Sequence, residues 1–284
     1  HGEFFVRIAG APDAPAVVLI HGWMFPADLN WAPVYGPLSR SYRVIALDLR
    51  GHGRGPRPSA PFRLAHAADD VAALLRHLGA APAVAVGYSM GGPVAQLLWQ
   101  RHPDAVRGLV LCATSASWTA SPRMRWGWRA MGAFQVLLRI VPRPWWERLY
   151  LAQARGDLPV QISQMVGTDT PKEVVDLLPW IVSELDRGSA EDIAEAGREL
   201  GRYDARGWLP SVDVPSAVII TANDSLVPPA AQHDLAARLP DPVVHVVDGD
   251  HDAVVARREE FLAALLDAVD AVSAQPQVEV PTTS

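Results

Sequence analysis

The chain has 284 residues, of which 49% are hydrophobic, and its formal net charge at pH 7 is −6. This length and apolar content suffice to bury a large core, which excludes a disordered or fibrous protein. Lys172 is the single lysine, and the arginines are scattered along the chain rather than clustered. This distribution argues against a surface that binds nucleic acid.

Cysteine usage and apolar patterning limit the cellular context. Cys112 is the only cysteine, so no intramolecular disulfide can form. No apolar run approaches the roughly 20 residues that span a bilayer, and the first residues lack the basic and apolar segments of a secretion signal. We therefore expect no stable membrane span, and a cytoplasmic location is the default expectation for a chain whose natural start is not visible.

The first third of the chain alternates between short apolar runs and helical periodicity, which is typical of a parallel sheet covered by helices. Buried strands are predicted at residues 16–20, 44–47, 83–86 and 106–112. Helices are predicted at residues 62–78 and 93–102. The order strand, tight turn, helix, strand around residue 89 predicts a βαβ unit with a right-handed crossover.

From residue 115 to residue 208 the strand pattern disappears, and helical segments interrupted by prolines replace it. Seven of the ten tryptophans lie in this stretch: Trp118, Trp126, Trp128, Trp145, Trp146, Trp180 and Trp208. A helical insertion that packs over the sheet explains both features. Some of these tryptophans are expected to line the cavity beneath it, although ordinary helix packing is the simpler interpretation of any single one.

The α/β pattern resumes with strands predicted at residues 216–220 and 243–247 and helices predicted at 229–239 and 257–272. We therefore predict an α/β fold with a mostly parallel central sheet and helices on both faces. The predicted units are a core of residues 1–114 and 209–272, a helical lid of residues 115–208, and a flexible tail of residues 273–284.

The motif Gly87-Tyr88-Ser89-Met90-Gly91 carries the chemistry. A Gly-x-Ser-x-Gly pattern is a weak indication by itself, but here it lies between a predicted strand and a predicted helix. A sharp turn at this place would hold Ser89 in a strained conformation and push its Oγ toward substrate. Ser89 is therefore the predicted nucleophile.

A serine hydroxyl needs a base that takes its proton. Most of the nine histidines fall at the terminus, on predicted helices or inside a strand, where surface and packing roles explain them. His251 alone follows the last predicted strand on a short loop before the final helix. We predict that His251 is the base.

An acid must orient the histidine, and the chain order in this type of fold is serine, acid, histidine. Asp224 meets that order and follows the strand predicted at residues 216–220, at the carboxyl end of the sheet. Asp213 precedes the same strand and is therefore expected at the amino ends of the strands, on the opposite side of the sheet from the carboxyl ends. Neighbours on a tight loop seldom bring a carboxylate to the ring, which disfavours three aspartates beside the histidine: Asp248, Asp250 and Asp252.

The tetrahedral intermediate of acyl transfer needs donors for its negative charge, each worth about 3 to 4 kcal/mol. Two backbone N–H groups are predicted to supply this oxyanion hole. Met90 follows the nucleophile at the start of a helix, and Trp23 follows His21-Gly22 at the end of an early strand. His21 is expected to support that loop.

These motifs together resemble the α/β-hydrolase superfamily, in its lid-bearing branch of esterases, lipases, cofactor-free perhydrolases and carbon–carbon bond hydrolases. The matching segments follow the superfamily's order over about 230 residues. They are Leu19-Ile20-His21-Gly22-Trp23, Asp48-Leu49-Arg50-Gly51-His52-Gly53, Gly87-Tyr88-Ser89-Met90-Gly91-Gly92, Asn223-Asp224-Ser225-Leu226-Val227-Pro228 and Asp250-His251. The stretch of residues 115–208 then resembles the superfamily's lid, and the segment from Asp48 is best explained as a structural turn.

Two features refine the resemblance. The superfamily usually has glycine directly before the catalytic histidine, whereas this chain has Asp250, whose charge is expected to favour protonated His251 and to weaken it as a base. Ser89 at the elbow disfavours the related haloalkane dehalogenases and epoxide hydrolases, which use aspartate there to form an alkyl-enzyme ester.

The resemblance implies a serine hydrolase that cleaves a carboxylic ester of a small to medium apolar substrate, with no cofactor and no metal. Carbon–carbon bond hydrolysis, thioester hydrolysis, perhydrolysis and acyl transfer to an alcohol are alternatives on the same three residues. A ligand-binding protein with little turnover is the alternative from another class. The expected partner is a small-molecule acyl substrate.

Overall fold

A seven-stranded sheet forms the centre of the fold in this computed structural model, which describes residues 3–57, 59–119, 180, 183–184, 187 and 190–274. The strands are β1 (Val6–Ala9), β2 (Ala16–Ile20), β3 (Arg43–Leu47), β4 (Ala83–Tyr88), β5 (Val106–Cys112), β6 (Ser216–Thr221) and β7 (Val243–Val247). Their order across the sheet is β1-β3-β2-β4-β5-β6-β7, with β1 antiparallel to β3 and all other pairs parallel. The predicted mostly parallel sheet is confirmed.

Helices cover both faces of the sheet. In the described part of the chain they are α1 (Ala27–Leu38), α2 (Leu64–His77), α3 (Gly91–Arg101), α4 (Ala190–Leu200), α5 (Pro229–Arg238), α6 (Ala253–Ala256) and α7 (Arg258–Ala274). Helices α2, α3 and α5 contribute to one buried apolar cluster, and α1 and α7 contribute to the other. Because both faces are covered, all five residues of β2 are buried, which explains its continuous apolar sequence.

Two elements of the core were not predicted from the sequence. Helix α1 contains Pro33 and Pro37, which hide its periodicity, yet it buries Trp31, Val34 and Leu38 at helical spacing. Strand β1 has only four residues and lies at an antiparallel edge. Both elements are stabilised by packing against β3 rather than by a strong local pattern.

The predicted lid of residues 115–208 lies mostly outside the described residues, as do Trp126, Trp128, Trp145 and Trp146. Its two ends meet, since Ser117 pairs with Asp204 in an antiparallel bridge. Of the described tryptophans, Trp118 is buried in the core and Trp208 stacks on Trp99 with 6.0 Å between ring centroids.

At the other end of the chain, α7 extends through Ala274 into the start of the predicted tail, and residues 275–284 lie outside the description. No described helix is long and apolar enough to cross a membrane.

The strand order creates the crevice in which a site can form. Strand β2 has β3 on one side and β4 on the other, so the connections after β2 and β4 leave the sheet in different directions. Ligands of open α/β sheets bind outside the carboxyl ends of strands at such a switch point. The loops after β2 and β4 begin with His21 and Ser89.

His21 joins the loop after β2 to the loop after β3. The backbone N–H of Leu49 donates to His21 Nε2 at 2.9 Å, so Nδ1 must carry the proton and donate to the Gly22 carbonyl at 2.7 Å. Burial lowers the pKa of His21 to about 4, which keeps the ring neutral. These bonds agree with the expected supporting role of His21.

The segment from Asp48 forms a turn that its own side chains hold. The buried Asp48 carboxylate accepts bonds from the backbone N–H groups of Ala27 and Arg54, both at 2.8 Å. His52 lies beside it with Nδ1 3.0 Å from the Arg50 carbonyl, and burial lowers the pKa of His52 to about 3. The contacts are those of a structural turn, as the sequence predicted.

The two buried histidines predict that acid destabilises the fold. As pH falls below about 6.5, these histidines bind protons in the unfolded chain, whereas in the folded protein the buried rings of His21 and His52 stay neutral. The unfolded state therefore binds more protons, and the free energy of unfolding falls between about pH 6.5 and pH 4. Urea unfolding at several pH values measures this slope. His52→Gln should make the slope shallower, whereas His66→Gln, at an exposed position of α2, should leave it unchanged. Equal slopes in all three proteins would contradict the assignment.

Candidate active site

Ser89 lies at a strained turn between β4 and α3. Its φ is +52°, a conformation that non-glycine residues adopt rarely and that surrounding structure must hold. The Ser89 N–H donates to the Cys112 carbonyl at 2.9 Å, and Thr114 Oγ1 donates to the Ser89 carbonyl at 2.8 Å. A Cβ added to Gly87 would lie 2.3 Å from the Gly91 carbonyl oxygen, so the turn needs glycine at that position.

The side chains of the three residues predicted for acyl transfer lie in one hydrogen-bonded line. His251 Nε2 is 2.9 Å from Ser89 Oγ, and His251 Nδ1 is 2.9 Å from Asp224 Oδ2. The Asp224 side chain is fully buried and that of His251 is 21% exposed. Ser89 is buried as well.

Asp224 is fixed by four further donors. Its Oδ1 accepts from the backbone N–H groups of Leu226 at 2.9 Å and Val227 at 2.7 Å. Its Oδ2, which faces His251, also accepts from Thr221 Oγ1 at 2.7 Å and from Gln232 Nε2 at 3.1 Å. Both carboxylate oxygens are therefore oriented before any substrate binds.

Thr221 and Gln232 were missed by sequence reasoning. Thr221 is the last residue of β6, and Gln232 lies on the buried face of α5, so neither belongs to a recognised motif. A polar residue at a buried helical position was the only signal for Gln232, and the helix had first to be placed against the sheet.

Tyr88 also contacts the candidate base and was not singled out from the sequence. Its hydroxyl donates to the backbone carbonyl of His251 at 2.6 Å, and the two rings lie 5.7 Å apart between centroids. Burial raises the pKa of Tyr88 well above its usual value, so the hydroxyl stays protonated and remains a donor. The residue before Ser89 thus holds the main chain of His251.

The other aspartates near the motif have different partners. Asp213 accepts from Trp99 Nε1 at 2.9 Å before β6 begins, and Asp248 accepts from Asn223 Nδ2 at 2.7 Å. Asp250 accepts from the loop of Asp224, with Oδ1 2.7 Å from the N atom of Ser225. The carboxylate bonded to the His251 ring is that of Asp224.

The loop after β2 lies directly beside Ser89. A Cβ added to Gly22 would lie 3.3 Å from Ser89 Cβ, and the Gly22 N–H donates to Asn30 Oδ1 at 2.7 Å. Trp23, next in the chain, donates from Nε1 to the Ile193 carbonyl at 2.8 Å and so contacts α4.

Met90 follows Ser89 as the residue that caps the start of α3. Helix N-termini present backbone N–H groups to anions, so the position of Met90 is compatible with the predicted oxyanion donor. The assignment of Met90 and Trp23 to an oxyanion hole stays a prediction. Within the described residues, no group of three or more His, Cys, Asp or Glu side chains is arranged to hold a metal ion.

Comparisons with known proteins identify the family of the chain. The family described as alpha/beta hydrolase fold matches residues 15–256. A pimeloyl-[acyl-carrier protein] methyl ester esterase of Neisseria meningitidis serogroup B (strain H44/76) is 32% identical over 273 residues, which cover 91% of this chain and 95% of that protein. A 3-oxoadipate enol-lactonase of Acinetobacter baylyi is 27% identical over 256 residues, 89% of this chain and 87% of that protein.

A solved structure of an enol-lactonase is also similar to this chain over nearly its whole length. The enol-lactonase from Burkholderia xenovorans LB400 superimposes with a TM-score of 0.70 at 26% identity and covers 94% of this chain and 96% of its own. The resemblance inferred from the motifs is confirmed, and the expectation of an enzyme that acts on ester bonds agrees with the names of these relatives. The chain belongs to the α/β-hydrolase family.

Proposed function

We propose that this protein is a serine hydrolase that cleaves carboxylic esters through an acyl-enzyme intermediate on Ser89. The observation that carries the proposal is the pair of 2.9 Å hydrogen bonds that links Ser89 Oγ to His251 and His251 to Asp224. A nucleophile, a base and an orienting acid in this geometry are the requirements of acyl transfer. Relatives named as an esterase and an enol-lactonase support ester bonds as the target.

In the first half of the reaction, Ser89 Oγ attacks the carbonyl carbon of the ester while His251 Nε2 takes the hydroxyl proton. The tetrahedral intermediate then collapses. The bond from carbon to the alcohol oxygen breaks, and His251 gives its proton to that oxygen, so the alcohol leaves and the acyl group stays on Ser89.

In the second half, a water molecule attacks the acyl carbon while His251 again takes a proton. Collapse of the second tetrahedral intermediate returns the proton to Ser89 Oγ and releases the carboxylic acid. Asp224 accepts from Nδ1–H throughout, which selects the tautomer with a lone pair on Nε2 and stabilises the imidazolium. The N–H groups of Trp23 and Met90 would contribute about 3 to 4 kcal/mol each to the oxyanion.

The substrate is proposed to be a small to medium apolar molecule. Large apolar side chains that are about half exposed follow the site residues closely in sequence: Met24, Phe25, Leu226 and Val255. We further propose that residues 115–208 form a lid above this region and set substrate selectivity. Since relatives are named for a methyl ester and an enol lactone, esters with a small alcohol and lactones are the first substrates to test.

Turnover of p-nitrophenyl esters of graded chain length tests the nucleophile. Ser89→Ala should lower kcat by at least about 10³-fold, because no other group can form the acyl-enzyme. Ser216→Ala is the matched control. This buried serine is the first residue of β6, so it lies at the amino ends of the strands, away from Ser89, and its hydroxyl donates to the Val214 carbonyl. Its turnover should stay within about twofold of the native protein. Undiminished hydrolysis in Ser89→Ala would refute the proposal.

A second substitution tests the acid. Asp224→Asn should lower kcat by about 10³- to 10⁴-fold, because an amide that donates to Nδ1 leaves the wrong tautomer facing Ser89. Asp213→Asn is the control, because its remaining carbonyl oxygen can still accept from Trp99 and it lies before β6. Steady-state ester kinetics compares the two variants. Similar losses in both would show that Asp224 has no special role.

A further inference from the structure

The main chain of His251 is held on both sides by side chains. Tyr88 donates to its carbonyl oxygen at 2.6 Å, and its N–H donates to Asp250 Oδ1 at 2.6 Å. These bonds act on the peptide groups and not on the ring. They hold the main chain from which the ring extends between Ser89 and Asp224.

Asp250 also contacts the loop that carries the acid. Its Oδ1 accepts from Ser225 N at 2.7 Å and from Ser225 Oγ at 3.0 Å. Ser225 directly follows Asp224 in the chain. Asp250 Oδ1 therefore accepts hydrogen bonds both from Ser225 and from the candidate base, His251.

This contact extends a pairing between the two loops. The Asn223 N–H donates to the Gly249 carbonyl at 3.0 Å, which aligns the loops just before Asp224 and His251. Asp250 provides the next link between the loops, from its side chain to Ser225. The donors from Ser225 hold the pKa of Asp250 below its usual range, so the acceptor is an ionised carboxylate.

We propose that Asp250 is a positioning residue for the reaction at Ser89: by accepting from Ser225 and from the His251 N–H, it fixes the His251 ring relative to Asp224. The inference rests on the proposed function, since it assigns Asp250 a place in that reaction. It also replaces the expectation that Asp250 acts mainly by its charge on the ring. A displacement of a catalytic group by about 1 Å can cost up to about 10²-fold in rate.

Two substitutions at Asp250 distinguish the loss of its hydrogen-bond acceptor from the loss of its negative charge. Asp250→Ala removes the acceptor and should lower kcat about tenfold because the ring is misplaced, and KM should stay within about twofold because Asp250 is not proposed to contact substrate. Asp250→Asn keeps an oxygen that accepts from both N–H groups and should stay within about threefold of native kcat. Steady-state kinetics on one p-nitrophenyl ester gives both parameters.

Asp252→Ala is the charge-matched control. Asp252 is exposed and stands on the other side of His251 at the start of α6, so its loss removes one negative charge at the same distance in sequence. Its kcat should stay within about twofold of native. If Asp250→Asn and Asp250→Ala lose activity equally, or if Asp252→Ala matches them, the loss does not follow the hydrogen-bond acceptor and the proposal is overturned.

A spectroscopic measurement tests the positioning without turnover. In the Ser89→Ala background, the His251 Nδ1 proton, which donates a hydrogen bond to Asp224, should give a far-downfield proton resonance in NMR. The resonance should persist in Asp250→Asn and weaken or broaden in Asp250→Ala. An unchanged resonance in Asp250→Ala would overturn the proposal.

The two failures are distinguishable. If the native protein hydrolyses esters and Ser89→Ala does not, an unaltered Asp250→Ala rejects the positioning role and leaves the proposed function intact. If the native protein hydrolyses no ester, the proposed function fails, and the NMR comparison still decides whether Asp250 positions His251.

Discussion

The hydrogen bond between His251 and Asp224 is the interaction on which the rest of the site depends. It joins residues 27 positions apart, on the loops after β7 and β6, at 2.9 Å. Parallel strands end at the same edge of a sheet, so the fold brings these loops together with the Ser89 turn after β4. The sheet provides proximity, and the bonds of Asp224 to Thr221, Gln232 and its own loop provide orientation.

The strain at Ser89 is tolerated because its surroundings are packed and bonded on every side that is described. Cys112, the last residue of β5, and Thr114, just after β5, hold the Ser89 backbone. Gly91 packs so closely against β2 that an added Cβ would lie 2.1 Å from the Ile20 carbonyl oxygen. The same close approach puts Gly22 against Ser89. The proposed reaction would need contacts of this kind, because electrostatic catalysis requires its groups to be in place before substrate arrives.

The sequence predicted the sheet well because its central strands are buried on both faces and therefore read as continuous apolar runs. It predicted Ser89, Asp224 and His251 as neighbours because each follows a strand. It missed α1, whose prolines hide its periodicity, and the short edge strand β1. It also missed contacts of the site: Tyr88, 163 residues before His251 in the chain, donates to the His251 carbonyl, and Asp250 accepts from Ser225. Such contacts depend on loop conformation, which no local pattern specifies.

The central claim is that His251 activates Ser89, and labelling by a fluorophosphonate probe tests it most directly, because the probe needs an activated serine but no particular substrate. Peptide mass spectrometry identifies the labelled residue, and the rate is compared between the native protein and His251→Gln. The account predicts labelling at Ser89 that His251→Gln slows by at least about 10³-fold. A native protein that stays unlabelled at Ser89, or one that is labelled equally fast without His251, would contradict it.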